Sequence, residues 1–310
     1  MNWKISAAVL VTITASALAC CMVPLSYEGS IGQDAQEAVL IYDEGREDLV
    51  LRINYRITGE SMPDTFAWVI TVPAEPDKYA LADEKLFKEM FELARRFVVP
   101  APRSMPTLSC SAFKMGGRIS AGLEFGERVN VGPYDIQPVR GVGANALQAL
   151  NGWLHENGFP TEDESAMRYF VEEGFTFLCV KITAGEEGGA VSPNGLLPPL
   201  HLSFKSDGLY YPLRFSSRQG VFDVNLHVLT QKKLDYEKGA STLERIAWGS
   251  TNYKRNVKLN KRDFPDALKA VFAKGKRSQR SWRYNNIRCY RVNRDNSIKT
   301  WPEDVFLALR

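Results

Sequence analysis

Few residues of this 310-residue chain have types and spacing that could do chemistry: three histidines, five cysteines and a handful of adjacent carboxylates. His155 sits on an amphipathic stretch beside Trp153 and Leu154, while His201 and His227 lie within strand-like runs. A histidine serves as general base only when its titration falls near the working pH and a nucleophile stands within reach. No G-x-S-x-G presents a serine at a strand-to-helix turn, so each histidine reads as a packed or surface residue. A glycosidase needs two carboxyl groups roughly 5 to 9.5 Å apart across a cleft. Glu172-Glu173 and Asp163-Glu164 fall at helix ends, where the helix dipole and solvation account for them, and Glu186-Glu187 falls in a loop. The glycines within 185–189 form no phosphate cradle, because no G-K-[ST] follows. With no C-x-x-C and so few histidines, no metal is expected. Nor is a cofactor or an identifiable catalytic residue.

The cysteines are Cys20, Cys21, Cys110, Cys179 and Cys289, and the segment before the first two is an address. Lys4, an uncharged run from Ile5 to Ala15 and Ala17-Leu18-Ala19 form the three regions of a bacterial secretory signal, with cleavage between Ala19 and Cys20. The expected location is therefore secreted or periplasmic. A lipoprotein anchored through Cys20 or Cys21 is the alternative, although Ala17 stands where a lipobox usually has leucine. In an oxidising compartment thiols tend to pair. Cys179 lies in the apolar run 175–182 and reads as a buried free thiol. Cys20, Cys21, Cys110 and Cys289 remain as disulfide candidates, with Cys20 or Cys21 to Cys110 preferred and connectivity open. After Ala19 no apolar stretch approaches the roughly 18 to 20 residues of a membrane helix.

The elements that must position these residues are mostly strands. Ala38 to Tyr42, the turn Asp43-Glu-Gly-Arg-Glu-Asp48 and the alternation Leu49, Leu51, Ile53, Tyr55, Ile57 read as a hairpin. Phe66 to Ala74 is apolar on both faces and suits a central strand. Leu86, Phe87, Met90, Phe91, Ala94 and Phe97 recur at helical spacing. Residues from Pro100 to about Gly122 read as a long loop, followed by a strand pair within 127–140. Leu147, Leu150, Trp153 and Leu154 mark a helix ending at Asn157-Gly158, and Thr161-Glu-Asp-Glu164 starts a second, so a helical hairpin is expected near 144–173. Strands at 175–182, 200–204, 210–215 and 222–228 complete the list, with Asp207-Gly208 as a tight turn. The sum is an α+β fold with largely antiparallel sheet and inserted helices. Trp68 and Tyr211, at strand ends, are candidate binding contacts.

Hydrophobic content of 45% and charged content of 24% are those of an ordinary globular protein. The modest net charge of +3 hides an asymmetry: residues 231–310 carry 20 Lys plus Arg against 8 Asp plus Glu, while residues 1–230 carry 19 against 28. The expected organisation is a signal at 1–19, an α+β domain at 20–230 and a basic C-terminal extension at 231–310. Aromatic residues interleave with the basic ones, so Trp282 and Arg283 are candidate contacts for anionic cell-envelope polymers. Export makes nucleic acid an unsuitable partner.

Taken in order, several segments resemble a bacterial family known as domain of unknown function number 2330. They are Gln36-Glu-Ala38 with Ile41-Tyr-Asp-Glu-Gly45, Phe66-Ala-Trp68 with Val72-Pro-Ala74, and Val131-Gly-Pro-Tyr-Asp135. Trp153-Leu154 with Asn157-Gly-Phe159, Tyr169 with Gly174-Phe-Thr-Phe177 and Val180-Lys181, Pro199 to Phe204, and Tyr211-Pro-Leu-Arg-Phe-Ser216 continue the series. The resemblance runs from about Cys20 to Thr230, with Thr71 where the family is expected to have proline. It implies an exported protein with an N-terminal cysteine cluster and supplies no catalytic residues. The resulting reading is an exported envelope protein acting in binding or as a structural component. An extracytoplasmic hydrolase, built from two or three of His155, His201, His227, Glu172 and Glu173 in one cleft, is one alternative. An envelope polyanion binder acting through the basic C-terminal region is the other.

Overall fold

The computed structural model describes residues 20–97, 124–140, 144–183, 194–235, 255–272, 281–292, 304–307 and 309. Ala19, Cys110, Glu186-Glu187 and half of the basic C-terminal segment lie outside these residues, as does the side chain of Cys289.

In chain order the elements are β1 (Cys21–Met22), β2 (Gly29–Asp43), β3 (Arg46–Gly59), β4 (Thr65–Val72), β5 (Lys78–Leu81), α1 (Leu86–Arg95), β6 (Glu124–Phe125), β7 (Val129–Val131) and β8 (Tyr134–Arg140). Then come α2 (Ala144–Glu156), α3 (Glu164–Glu172), β9 (Thr176–Thr183), β10 (Asn194–Leu196), β11 (Leu200–Lys205), β12 (Leu209–Tyr211) and β13 (Phe222–Thr230). The last are β14 (Val257–Leu259), α4 (Asp266–Val271), β15 (Trp282–Val292) and β16 (Val305–Leu307).

The large sheet has the order β14-β15-β13-β2-β3-β11-β5, with β10 added on β3. The small sheet has the order β1-β4-β9-β8-β6, with β7 added on β8. Among the described residues every pairing is antiparallel except β2 with β13, which is parallel. The α+β expectation is therefore corrected: the described residues are mostly β, with 47% strand and 22% helix, and α2 and α3 are an appendage to sheets rather than half of the architecture. Two things hid the excess of strand. The hairpin strands β2 and β3 run for 15 and 14 residues, well beyond their apolar stretches. Residues after Gln231, read from their charge alone, supply β14 and β15 to the large sheet.

Alternation explains the layers. Ala38, Leu40, Leu49, Leu51 and Ile53 face the core shared with the small sheet. Val39, Ile41 and Val50, one residue out of phase, face a second core closed by α1 and α4. A strand buried on both faces reads as a continuous apolar run, which is what Ala38-Val-Leu-Ile41 is. The β2–β3 turn fits its sequence: Glu44 and Gly45 both have positive φ, 50° and 76°, the backbone of a two-residue hairpin loop with the twist of its strands.

α2 rests on β8 and β9 and turns into α3. Gly158, at φ 78°, lets the chain leave α2 in the left-handed conformation while Phe159 N donates to Leu154 O at 2.8 Å. Asp163 caps α3 by accepting from Ala166 N at 2.9 Å. Glu162, buried beside this cap, pairs with Arg218 at 2.8 Å. At the far end of the chain β16 pairs with β12. The neighbouring Asp304 is buried, with Oδ1 accepting from Arg214 N at 2.7 Å, and burial pushes its carboxyl up to about 7.

Candidate ligand-binding cleft

The residues singled out for chemistry do not meet. His201 and His227 occupy one row of the large sheet, where His201 opposes Val50, Val50 opposes Val39, and Val39 opposes His227. With two strands between them and about 4.8 Å per strand, their backbones stand about 14 Å apart. Each is satisfied where it sits. His201 Nε2 lies 3.0 Å from Asp48 Oδ1, both side chains buried. Asn225 Nδ2 donates to His227 Nε2 at 3.1 Å, and the Tyr284 hydroxyl lies 2.8 Å from Nδ1 with the two rings stacked. Burial, with Arg288 nearby, drives His227 down to about 3, so it is a neutral imidazole built into the sheet. His155, Glu172 and Glu173 are exposed on α2 and at the end of α3. Among the described residues no three His, Cys, Asp or Glu side chains form a metal-binding group.

Cys20, Cys21 and Cys179 are buried free thiols, and Cys110, the partner expected for Cys20 or Cys21, lies outside the described residues. Cys20 Sγ donates to Gln219 Oε1 at 2.9 Å, and Gln219 Nε2 in turn donates to Cys21 O at 3.2 Å. Val69 N donates to Cys20 O at 2.7 Å, and β1 pairs with β4, so this end of the chain is held as an edge strand. Burial raises the Cys21 and Cys179 thiols, the opposite of what a nucleophilic thiolate needs.

The aromatic contact candidates are also interior. Trp68 is buried next to Tyr134, Tyr211 donates its hydroxyl to Gln36 Oε1, and Trp282 packs edge-on against Phe272 with ring centroids 4.9 Å apart. They are corrected from binding residues to core residues, because strands buried on both faces leave their large side chains no way out. Arg283, on β15, is half-buried.

The open site lies elsewhere. On α2, Ala146, Leu150 and Leu154 recur every four residues and are fully buried. A second stripe, Asn145, Gln148, Ala149, Gly152, Trp153 and Glu156, follows the same helical spacing on the adjoining face. It lines a cleft of about 600 Å³ whose opposite wall is Phe125, Arg128 and Gln137, from the β6–β8 edge of the small sheet. Small residues make the depression: a Cβ placed on Gly152 would meet no atom within 4 Å. The wall is fixed. Gln137 Nε2 donates to Gly126 O at 2.8 Å, Arg128 pairs with Asp135, and Trp153 stacks on Phe159 with an interplanar angle of 21°. The side chains of Asn145, Gln148 and Glu156 have no hydrogen-bond partner among the described residues. Sequence reasoning assigned Trp153 to the buried stripe and missed the cleft. The available signal was the row of amides and small residues at helical spacing on a helix whose other face was already apolar.

Residues 14–259 match the family described as "Uncharacterized protein conserved in bacteria (DUF2330)". The chain belongs to this family. The DUF2330 match spans β1 to β14 and contains every residue of the cleft, while β15 and β16 lie beyond it. It reaches past Thr230, where the resemblance noted from short segments ended, and takes in the first part of the basic segment. No curated protein matches the chain. Among solved structures, one titled "Crystal structure of baculovirus P35" is similar over 93% of this chain and 99% of that chain, at 10% identity and a TM-score of 0.43. A likeness at that level carries no argument about this DUF2330 protein.

Proposed function

We propose that this DUF2330 protein is an exported, non-enzymatic binding component of the bacterial cell envelope, with its ligand seated between α2 and the β6–β8 edge. The observation that carries this reading is the second stripe of α2, whose polar side chains face a recess and hold no internal partners. Hydrogen-bonding capacity left unused on a rigid wall is what a ligand site requires. The histidines point the same way, since each one within a sheet is already spent on a structural contact.

Export rests on the signal-like segment that ends at Ala19. Release into the periplasm or medium is preferred over a lipid anchor. An anchor would place a diacylglyceryl chain on the sulfur of Cys20 or Cys21, and both sulfurs are enclosed in the core against Gln219. Intact mass of the protein from its native host should show an N-terminus at Cys20 without acyl groups; an acylated N-terminus overturns the soluble reading.

The cleft is tested by titrating the mature protein with soluble host-envelope extract while following tryptophan fluorescence, with Gly152→Leu as the filled-cleft variant. A saturable change that is lost in Gly152→Leu is expected. A response that survives the filled cleft overturns the assignment of the site.

A further inference from the structure

We infer that the ligand of this cleft is a neutral saccharide; the inference rests on the binding reading above and names its ligand class. The charge of the lining argues first. Arg128 is the cation of the wall, and its guanidinium is engaged by Asp135. Glu156 is the other charged residue of the lining, and Lys181, cross-strand from Asp135 and donating to the lining Asn157 Oδ1 at 3.4 Å, balances it, so the cleft carries no net charge. An anionic polymer would find no excess of positive charge here, whatever the basic C-terminal segment does, and attraction of polyanions needs such an excess of Lys or Arg at the contact.

The hydrogen-bonding inventory argues second. Asn145 and Gln148 each offer two donors and an acceptor, and Gln137 retains its Oε1 because only its Nε2 is used, on Gly126 O and Pro138 O. Amide side chains both give and take, which suits hydroxyl groups that do the same. An apolar lipid would leave all of these groups desolvated and unpaired, at a cost for each.

The aromatic rings argue third. Phe125 is 54% exposed, a state that costs hydrophobic free energy unless something covers it, and Trp153 is oriented by its stack on Phe159. A pyranose has one face of C–H groups and a rim of hydroxyls. It matches a site with aromatic platforms and a surrounding row of amides, and the recess is of the size typical for small-molecule sites.

The test uses the purified mature protein with four neutral trisaccharides (chitotriose, maltotriose, cellotriose and mannotriose) and with dextran sulfate as the anionic probe. Tryptophan fluorescence and calorimetry are read at low and high salt. Saturable binding of at least one neutral trisaccharide is expected, changing less than about twofold with salt because no counterions are released. Gly152→Leu should weaken it by at least about tenfold with a melting temperature unchanged or raised, and Trp153→Ala by about tenfold, as for a central aromatic contact. Neutral binding untouched by Gly152→Leu overturns the placement. Failure of all four neutral sugars at about 10 mM, far weaker than a useful site, overturns the ligand class. If the envelope extract still binds in a Gly152-dependent way in that case, the cleft stands and only its ligand is wrong. Salt-sensitive binding of dextran sulfate without neutral binding overturns the inference in favour of a polyanion.

Discussion

The row of the large sheet through His201 and His227 and the second stripe of α2 are opposite answers to the same question. The sheet row holds the residue types associated with catalysis, and each is enclosed and spent: His201 on Asp48, His227 on Tyr284 and Asn225. The α2 stripe holds amides, a glycine, an alanine, one tryptophan and one glutamate, none of which suggests chemistry by type, yet it is open and unspent. A buried polar group that finds partners is a structural member. What a ligand can use is capacity left over, so the proposed site is picked out by partnering and not by residue type.

The comparison is broken most directly by its two tryptophans. Trp282, fully buried against Phe272, should cost about 3–5 kcal/mol when replaced by alanine. Trp153, half-buried on the cleft, should cost only about 1 kcal/mol, a typical value for a partly exposed site. Urea unfolding of both variants measures this, and equal losses would make Trp153 a core residue and close the cleft. Next is acid. His227 is held at about 3, below its ordinary value, so its contribution is intact above about pH 6.5 and is lost as pH falls toward 3. Unfolding of Asp304→Asn, which removes an opposing carboxyl titration, measured from pH 7 down to 4 should lose up to about 1.4 kcal/mol per pH unit. A flat profile would show that the imidazole is reachable by protons without unfolding, which a spent histidine is not.

Asp304 sharpens the comparison by titrating in the opposite sense. Its carboxyl is raised to about 7, above the ordinary value, so its contribution is complete below about pH 4, is lost as pH rises from there to 7, and is gone above 7. Its slope opposes that of His227 over the same range, so the unsubstituted protein should show a flatter acid profile than Asp304→Asn in the same urea titrations, and equal profiles would mean that this carboxyl is not held protonated. The smallest effect belongs to the cleft. Gly152→Ala puts a methyl group into open space on a helix and should be neutral or stabilising by up to about 1 kcal/mol. A clear destabilisation by thermal melting would mean that something packs on the recess already.

Parts of this were legible in the sequence. Asp43-Glu-Gly announces the β2–β3 turn, and Asn157-Gly158 announces the end of α2, because each needs a positive φ that its glycine adopts freely. β15 was not legible. Trp282-Arg-Tyr-Asn-Asn-Ile-Arg288 reads as a basic polar stretch, but Asn285 Oδ1 accepts from Asn256 N at 2.7 Å and Asn286 Nδ2 donates to Leu226 O at 3.1 Å. Periodicity reasoning counts such residues as exposed, because it has no access to the partners that let them be buried. Gln33 and Gln36, which carry β2 well past its apolar run, were missed for the same reason. The cleft was half legible: its helical stripe is written at fixed spacing, while the facing wall of Phe125, Arg128 and Gln137 is brought there only by tertiary folding.

The place of β15 in the large sheet sets a clock. β13 has β2 on one side, from the beginning of the chain, and β15 on the other, from near its end. A growing chain that has reached residue 230 can join β13 to β2, but its other edge stays bare until residue 292 is made. Long-range pairings of this kind are slow to close, and bare strand edges invite wrong partners. The sheet therefore cannot seal at β13 until roughly sixty residues beyond that strand have been made, and a product cut short before residue 282 is expected to aggregate through the bare edge.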